Sequence, residues 1–97
     1  MTLEELRTES DAIDAEIVAL LNRRASIAVE IGQIKAAANV SVVDVGNAIR
    51  TLNRVGKLNE GLMRADTIES IFRPILEESR RIQRAACEQI STVPEEV

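Results

Sequence analysis

Apolar residues recur at spacings of four and three along the first third of the chain, through Leu6, Ser10, Ile13, Ile17, Leu20, Arg24, Ile27, Ile31 and Ile34. Seven of these nine positions are aliphatic, and the rhythm predicts one long helix with a single apolar seam. Thr2-Leu3-Glu4-Glu5 reads as a capping box at its start. Ala36, Ala37 and Ala38 continue the helix, and Asn39 can end it near Ala37. Such a helix is roughly 50 Å long, about three times the average length. A short connector rich in β-branched residues follows, from Asn39 to Val43.

Asp44 can cap a second helix whose stripe is Val45, Ile49, Leu52 and Val55; Gly46 and Asn47 weaken its first turn, and Asn59, Gly61 and Leu62 end it. Asp66-Thr67-Ile68-Glu69 is a further capping signature. The third helix then carries Ile68, Phe72, Ile75, Ser79, Ile82 and Ala86 on one face. Pro74 falls inside this pattern, which predicts a kink or a regular helix that starts only near Arg73. The reading is one helical domain over residues 1–90, with a frayed tail over 91–97.

Two shorter helices folding back from the same chain cannot cover a seam of that length. The pattern therefore predicts an all-α, three-helix protomer that forms an obligate homodimer, with the two long helices side by side and no stable folded monomer. Composition agrees with helices. Hydrophobic content is 45%, enough for a core, yet Phe72 is the only aromatic residue, so the core is aliphatic.

Charge changes the picture more. Twelve basic and 16 acidic residues are mixed along the chain, for a net charge of −4. That is not the basic footprint of a nucleic-acid binder. No apolar run is long enough to span a membrane, and the N-terminus lacks the features of a signal peptide. The single cysteine, Cys87, excludes an internal disulfide and reads as a small core residue in a reducing compartment. The expectation is a cytoplasmic protein. No histidine is present, which removes the Ser-His-Asp and Cys-His schemes and the commonest metal ligand.

Several polar residues fall where the stripes predict burial. Arg24 lies in the seam, and Lys35, eleven residues on, is about 20° away around the helix. Ser79 and Gln83 lie at i and i+4 on the third helix, and Asp44 is the one acid near them. A buried guanidinium needs an anion or carries an uncompensated charge costing several kcal/mol. Arg24 can also snorkel or pair with a seam glutamate. Together these residues suggest a positive pocket inside a helical bundle, suited to a small dicarboxylate. Arg7 lies roughly 25 Å from Arg24 along the axis, so it can reach only a partner's pocket. Arg80, Arg81 and Arg84 read as a solvated face, with Glu77 and Glu78 as partners.

Leu6-Arg7 through Asp14, Leu20-Leu21, Arg23-Arg24 and Glu30-Ile31-Gly32-Gln33-Ile34-Lys35 resemble the all-helical chorismate mutases, the AroQ class; Ile71-Phe72, Glu78-Ser79 and Gln83 resemble that family's third helix. The resemblance covers roughly residues 3 to 87. It implies an intertwined homodimer with two shared active sites and an isomerase that converts chorismate to prephenate in phenylalanine and tyrosine synthesis. Arg7 would bind one substrate carboxylate across the dimer and Arg24 the other. Lys35 and Gln83 would hydrogen-bond the ether oxygen, Ser79 would support a carboxylate, and Asp44 would contact the ring hydroxyl. The rearrangement needs no base, nucleophile, metal or other cofactor, so the lack of histidine is no obstacle. A partner enzyme of the aromatic pathway is left open.

One departure stands out. Family members usually carry Arg-Glu early in the second helix, where this chain has Asn47 and Ala48. The substrate is then chorismate with weaker ring contacts, or an analogue such as 4-amino-4-deoxychorismate or isochorismate, turned over by a mutase or a pyruvate lyase. A catalytically weak helical dimerisation module is the remaining reading.

Overall fold

The computed structural model describes residues 1–91, with side chains described through Gln89. It has three helices and, among the described residues, no strand: α1 (Leu3–Ala37), α2 (Val45–Leu58) and α3 (Ala65–Ser91). Of the expected tail only Ser91 is described, as the last helical residue; 92–97 lie outside the described residues.

Local chemistry sets both ends of α1. The Thr2 hydroxyl accepts the Glu5 N–H at 3.1 Å, and the Glu5 carboxylate accepts the Thr2 N–H at 3.2 Å, completing the capping box. At the other end Asn39 adopts φ 58°, a left-handed conformation that asparagine tolerates well. Asn39 N–H donates to Ala36 O and Val40 N–H to Lys35 O, at 3.1 and 2.8 Å. This six-to-one and five-to-two pairing is a Schellman motif. It turns the chain back beside Lys35. The β-branched connector forms no strand; it is a turn followed by extended chain that reaches α2.

Asp44 caps α2 as expected, its carboxylate accepting the Asn47 N–H at 2.9 Å. The inward face of α2 is rotated from the expected stripe. Leu52 and Val55 face inward with Ala48 and Thr51, whereas Val45 and Ile49 are exposed at 61% and 55%. The third helix starts one residue before Asp66. Asp66 is therefore in the first turn and not at the cap, and its carboxylate pairs with Arg64 at 2.8 Å. Ile68, Phe72, Ile75, Ser79, Ile82 and Ala86 all turn inward, as the spacing predicts. Pro74 sits in the third turn of one uninterrupted helix, so the late start near Arg73 does not occur.

Helix α3 packs against both α1 and α2. The face of α1 that meets it is not the aliphatic seam. It is a neighbouring stripe of small residues, Ala25, Ala28, Gly32 and Ala36, with Arg24 and Lys35 at its edge. All seven aliphatic seam residues remain exposed, from 37% at Ile31 to 68% at Ile34. The expected burial of the seam is thus not achieved within one chain. The buried hydrophobic residues among the described ones are Ala28, Val55 and Ala86, none of them large. The radius of gyration is 17.6 Å, where a compact chain of this length would have about 13 Å. A single chain exposes most of what ought to be its core.

Candidate active site

Gly32 decides where α1 and α3 meet. A Cβ built there would lie 2.5 Å from the Gln83 carbonyl oxygen and 2.9 Å from the Gln83 Cα. Only a residue without a side chain permits that approach. One turn further along α1, Lys35 therefore lies directly beside Gln83. Lys35 Nζ donates to Gln83 Oε1 at 3.0 Å and to the Val42 carbonyl at 3.4 Å; Gln83 Nε2 donates to Ser79 Oγ at 3.4 Å.

These bonds fix which hydrogens are left over. Lysine carries three donors, of which two are used. The Gln83 amide has one N–H uncommitted, and Ser79 keeps its hydroxyl hydrogen. Each remaining group is a donor, so the site suits a ligand rich in acceptor oxygens. A cavity of about 270 Å³ opens in front of them, with Arg24, Lys35, Ser79 and Gln83 in its wall and Asp44, Asn47 and Ala48 at its α2 side. Three helices and the connector contribute.

Seven of the eight sequence-derived candidates therefore share one cavity. Arg24 is half-buried and forms no ion pair among the described residues. The glutamate that lines the adjoining groove with it, Glu78, is committed elsewhere: Arg81 grips its carboxylate through two bonds of 2.8 and 2.7 Å. That hydrogen bond holds the Glu78 carboxyl below its usual range. Asp44 reaches the cavity while one of its oxygens caps α2. The Asn47 side-chain oxygen accepts from Arg50. Ala48 is half-buried and leaves the α2 wall without a polar group at that point. The eighth candidate, Arg7, is exposed near the far end of α1 and is not part of this cavity.

Sequence reasoning missed two elements. Gly32 carried a usable signal, since Ala28, Gly32 and Ala36 form a small-residue row at i, i+4, i+8. Arg80 was read as part of a solvated arginine face. Arg81 does lie there, paired with Glu78, but Arg80 is half-buried and lines the cavity. It is one residue beyond Ser79, about 100° around α3, at the edge facing α2. Among the described residues no helix is long and apolar enough to cross a membrane, and no His, Cys, Asp and Glu cluster could hold a metal.

Comparison with known proteins adds an independent line. The family model for chorismate mutase type II matches residues 6–84. A bifunctional chorismate mutase/prephenate dehydratase of Aquifex aeolicus is 36% identical over 78 residues, 76% of this chain and 22% of that protein. One from Neisseria gonorrhoeae is 33% identical over 87 residues, 86% of this chain and 24% of that protein. The chain thus spans about a quarter of the length of these relatives. A conserved hypothetical protein from Pyrococcus furiosus shares the fold with a TM-score of 0.71 and 36% identity, over 86% of this chain and 96% of that one.

Proposed function

Because the chain belongs to the chorismate mutase type II family, we propose that it is an isomerase converting chorismate to prephenate, with the cavity between α1, α2 and α3 as its active site. The observation that supports this reading most is the Lys35–Gln83 hydrogen bond of 3.0 Å, made inside a cavity that Arg24 and Ser79 also line. In the rearrangement the ether C–O bond breaks as a C–C bond forms within one molecule, so no proton acceptor or nucleophile is needed. Negative charge grows on the ether oxygen. Lys35 and the uncommitted Gln83 N–H meet that charge with preorganised donors. Arg24 binds one carboxylate as a planar fork, Ser79 supports a carboxylate, and both hold the folded conformer. Asp44 contacts the ring hydroxyl, beside Asn47 and Ala48.

The same reading makes the protein a homodimer with shared sites. The exposed seam of α1 calls for a second copy, whose Arg7 would reach this cavity and bind the second carboxylate. Sedimentation at micromolar concentration should give twice the 10.7 kDa chain mass. A folded monomer at that concentration would remove Arg7 from the site. The protein acts in the cytoplasm on this reading, and its product feeds aromatic amino-acid synthesis.

The deciding experiment is incubation with chorismate, following prephenate and pyruvate together. Prephenate establishes the activity. The lack of a carboxylate at Ala48 favours a second reading, a mutase or lyase on a chorismate analogue; pyruvate release, or turnover of isochorismate or 4-amino-4-deoxychorismate alone, would replace the first reading with that one.

A further inference from the structure

We propose that Arg80 is a substrate-binding residue of this site and supplies from α3 the guanidinium that α2 lacks at Asn47. The inference rests on the reading of the cavity as a dicarboxylate site. Three observations carry it. Arg80 lines the same cavity as Arg24 and Lys35. It is half-buried, which an arginine on a solvated face is not. It also forms no ion pair among the described residues, while its neighbours Arg73 and Arg81 are both paired, with Glu69 and Glu78.

A half-buried arginine beside a cavity, with no carboxylate to answer it, carries a desolvation cost in a protein without a ligand. A ligand carboxylate removes that cost and accepts a two-pronged hydrogen bond. The α2 wall opposite is built to leave room. Ala48 is small, and the Asn47 oxygen is turned to Arg50 on the outside of α2. Three cations of one chain, Arg24, Lys35 and Arg80, then face one acid, Asp44. That balance fits a dianion: Arg24 takes one carboxylate, Arg80 joins the partner's Arg7 at the other, and Lys35 is left for the breaking bond.

Arg80 grips the substrate equally before and during the reaction, so its loss should appear in KM and not in kcat. The test uses the full-length protein and chorismate. Arg80→Leu is expected to raise KM by about 10- to 100-fold with kcat within about threefold, the split that uniform binding produces. Arg81→Leu, whose guanidinium is exposed and held by Glu78, is expected to leave both unchanged. The melting temperature of Arg80→Leu should hold or rise, since an unanswered cation becomes apolar. A merely structural arginine would give the opposite, a lower melting temperature with KM intact.

If Arg80→Leu does not fold, Arg80→Gln keeps a polar side chain and should show the same KM rise. A KM within about twofold of wild type in either variant overturns the proposal, on the scale expected for a lost charged hydrogen bond; an equal rise in Arg81→Leu does so too, because the effect is then general charge. Should wild type bind chorismate without converting it, the mutase reading fails while calorimetric affinity still tests Arg80. Weaker binding by Arg80→Leu then supports its role, and equal binding overturns it. A wild type that neither binds nor converts chorismate overturns both.

Discussion

Lys35→Ala should lower kcat for chorismate by about a hundred- to a thousandfold, the usual effect of removing one preorganised donor from a developing oxyanion. The expectation follows from the hydrogen-bond count. Two Lys35 donors are held by Val42 and Gln83, which aims the ammonium and leaves its third donor for the substrate. The charge is fixed before substrate arrives, so little reorganisation is needed during reaction. Stability should change far less, because the two bonds lost are each worth about 1 kcal/mol. The measurement is steady-state turnover beside thermal unfolding of the same variant. A dimerisation module would behave differently: Arg24→Leu and Lys35→Leu would then be neutral or stabilising, with nothing to lose in turnover. Lys35→Ala retaining a tenth or more of wild-type kcat would sink its assignment to the ether oxygen.

Gly32→Ala should destabilise the protein by about 1–3 kcal/mol and lower kcat by about tenfold, through overpacking and a misplaced donor. Helix propensity alone gives the other sign, since alanine is favoured over glycine by about 1 kcal/mol in a helix interior. The contact decides. The added methyl would sit 2.5 Å from the Gln83 carbonyl oxygen and 2.9 Å from its Cα. These are backbone atoms, which cannot rotate aside, so α3 must move as a body. Gln83 moves with it, away from Lys35. Gly56 on α2 provides the control: nothing lies within 4 Å of a Cβ there, so Gly56→Ala should show the propensity gain of about 0.5–1 kcal/mol undiluted. Chemical denaturation of both variants measures the two signs. A stabilised Gly32→Ala with unchanged kcat would mean that the helices have slack at this crossing.

The two variants probe one chain of causes. The Schellman turn at Asn39 returns the connector past Lys35, which brings the Val42 carbonyl within reach of its ammonium. Gly32 brings α3 close enough for Gln83 to take a second donor. Neither contact lies next to Lys35 in sequence, yet both orient it.

The sequence by itself determined the helices and most of the polar set. Capping at Thr2 and Asp44 and the left-handed Asn39 are local hydrogen-bond chemistry, readable from a few neighbouring residues. The inward face of α3 followed from helical periodicity alone. That Arg24, Lys35, Ser79, Gln83 and Asp44 belong together was legible because a buried stripe tolerates polar residues only for a reason, whereas Asn47 and Ala48 joined them only through the family resemblance. Tertiary structure decided what periodicity cannot. A seam of large aliphatic residues and a row of small ones on the same helix both read as packing faces. Which one meets α3 depends on how closely two backbones approach, and the small row won because Gly32 permits contact that leucine or isoleucine would hold apart. Packing against α3 likewise decided which face of α2 is buried, leaving Val45 and Ile49 exposed. The same geometry set Arg80 apart from Arg81 and Arg84: neighbours in sequence differ by about 100° around a helix, and only the packing of α3 against α2 says which of them faces a cavity and which faces water.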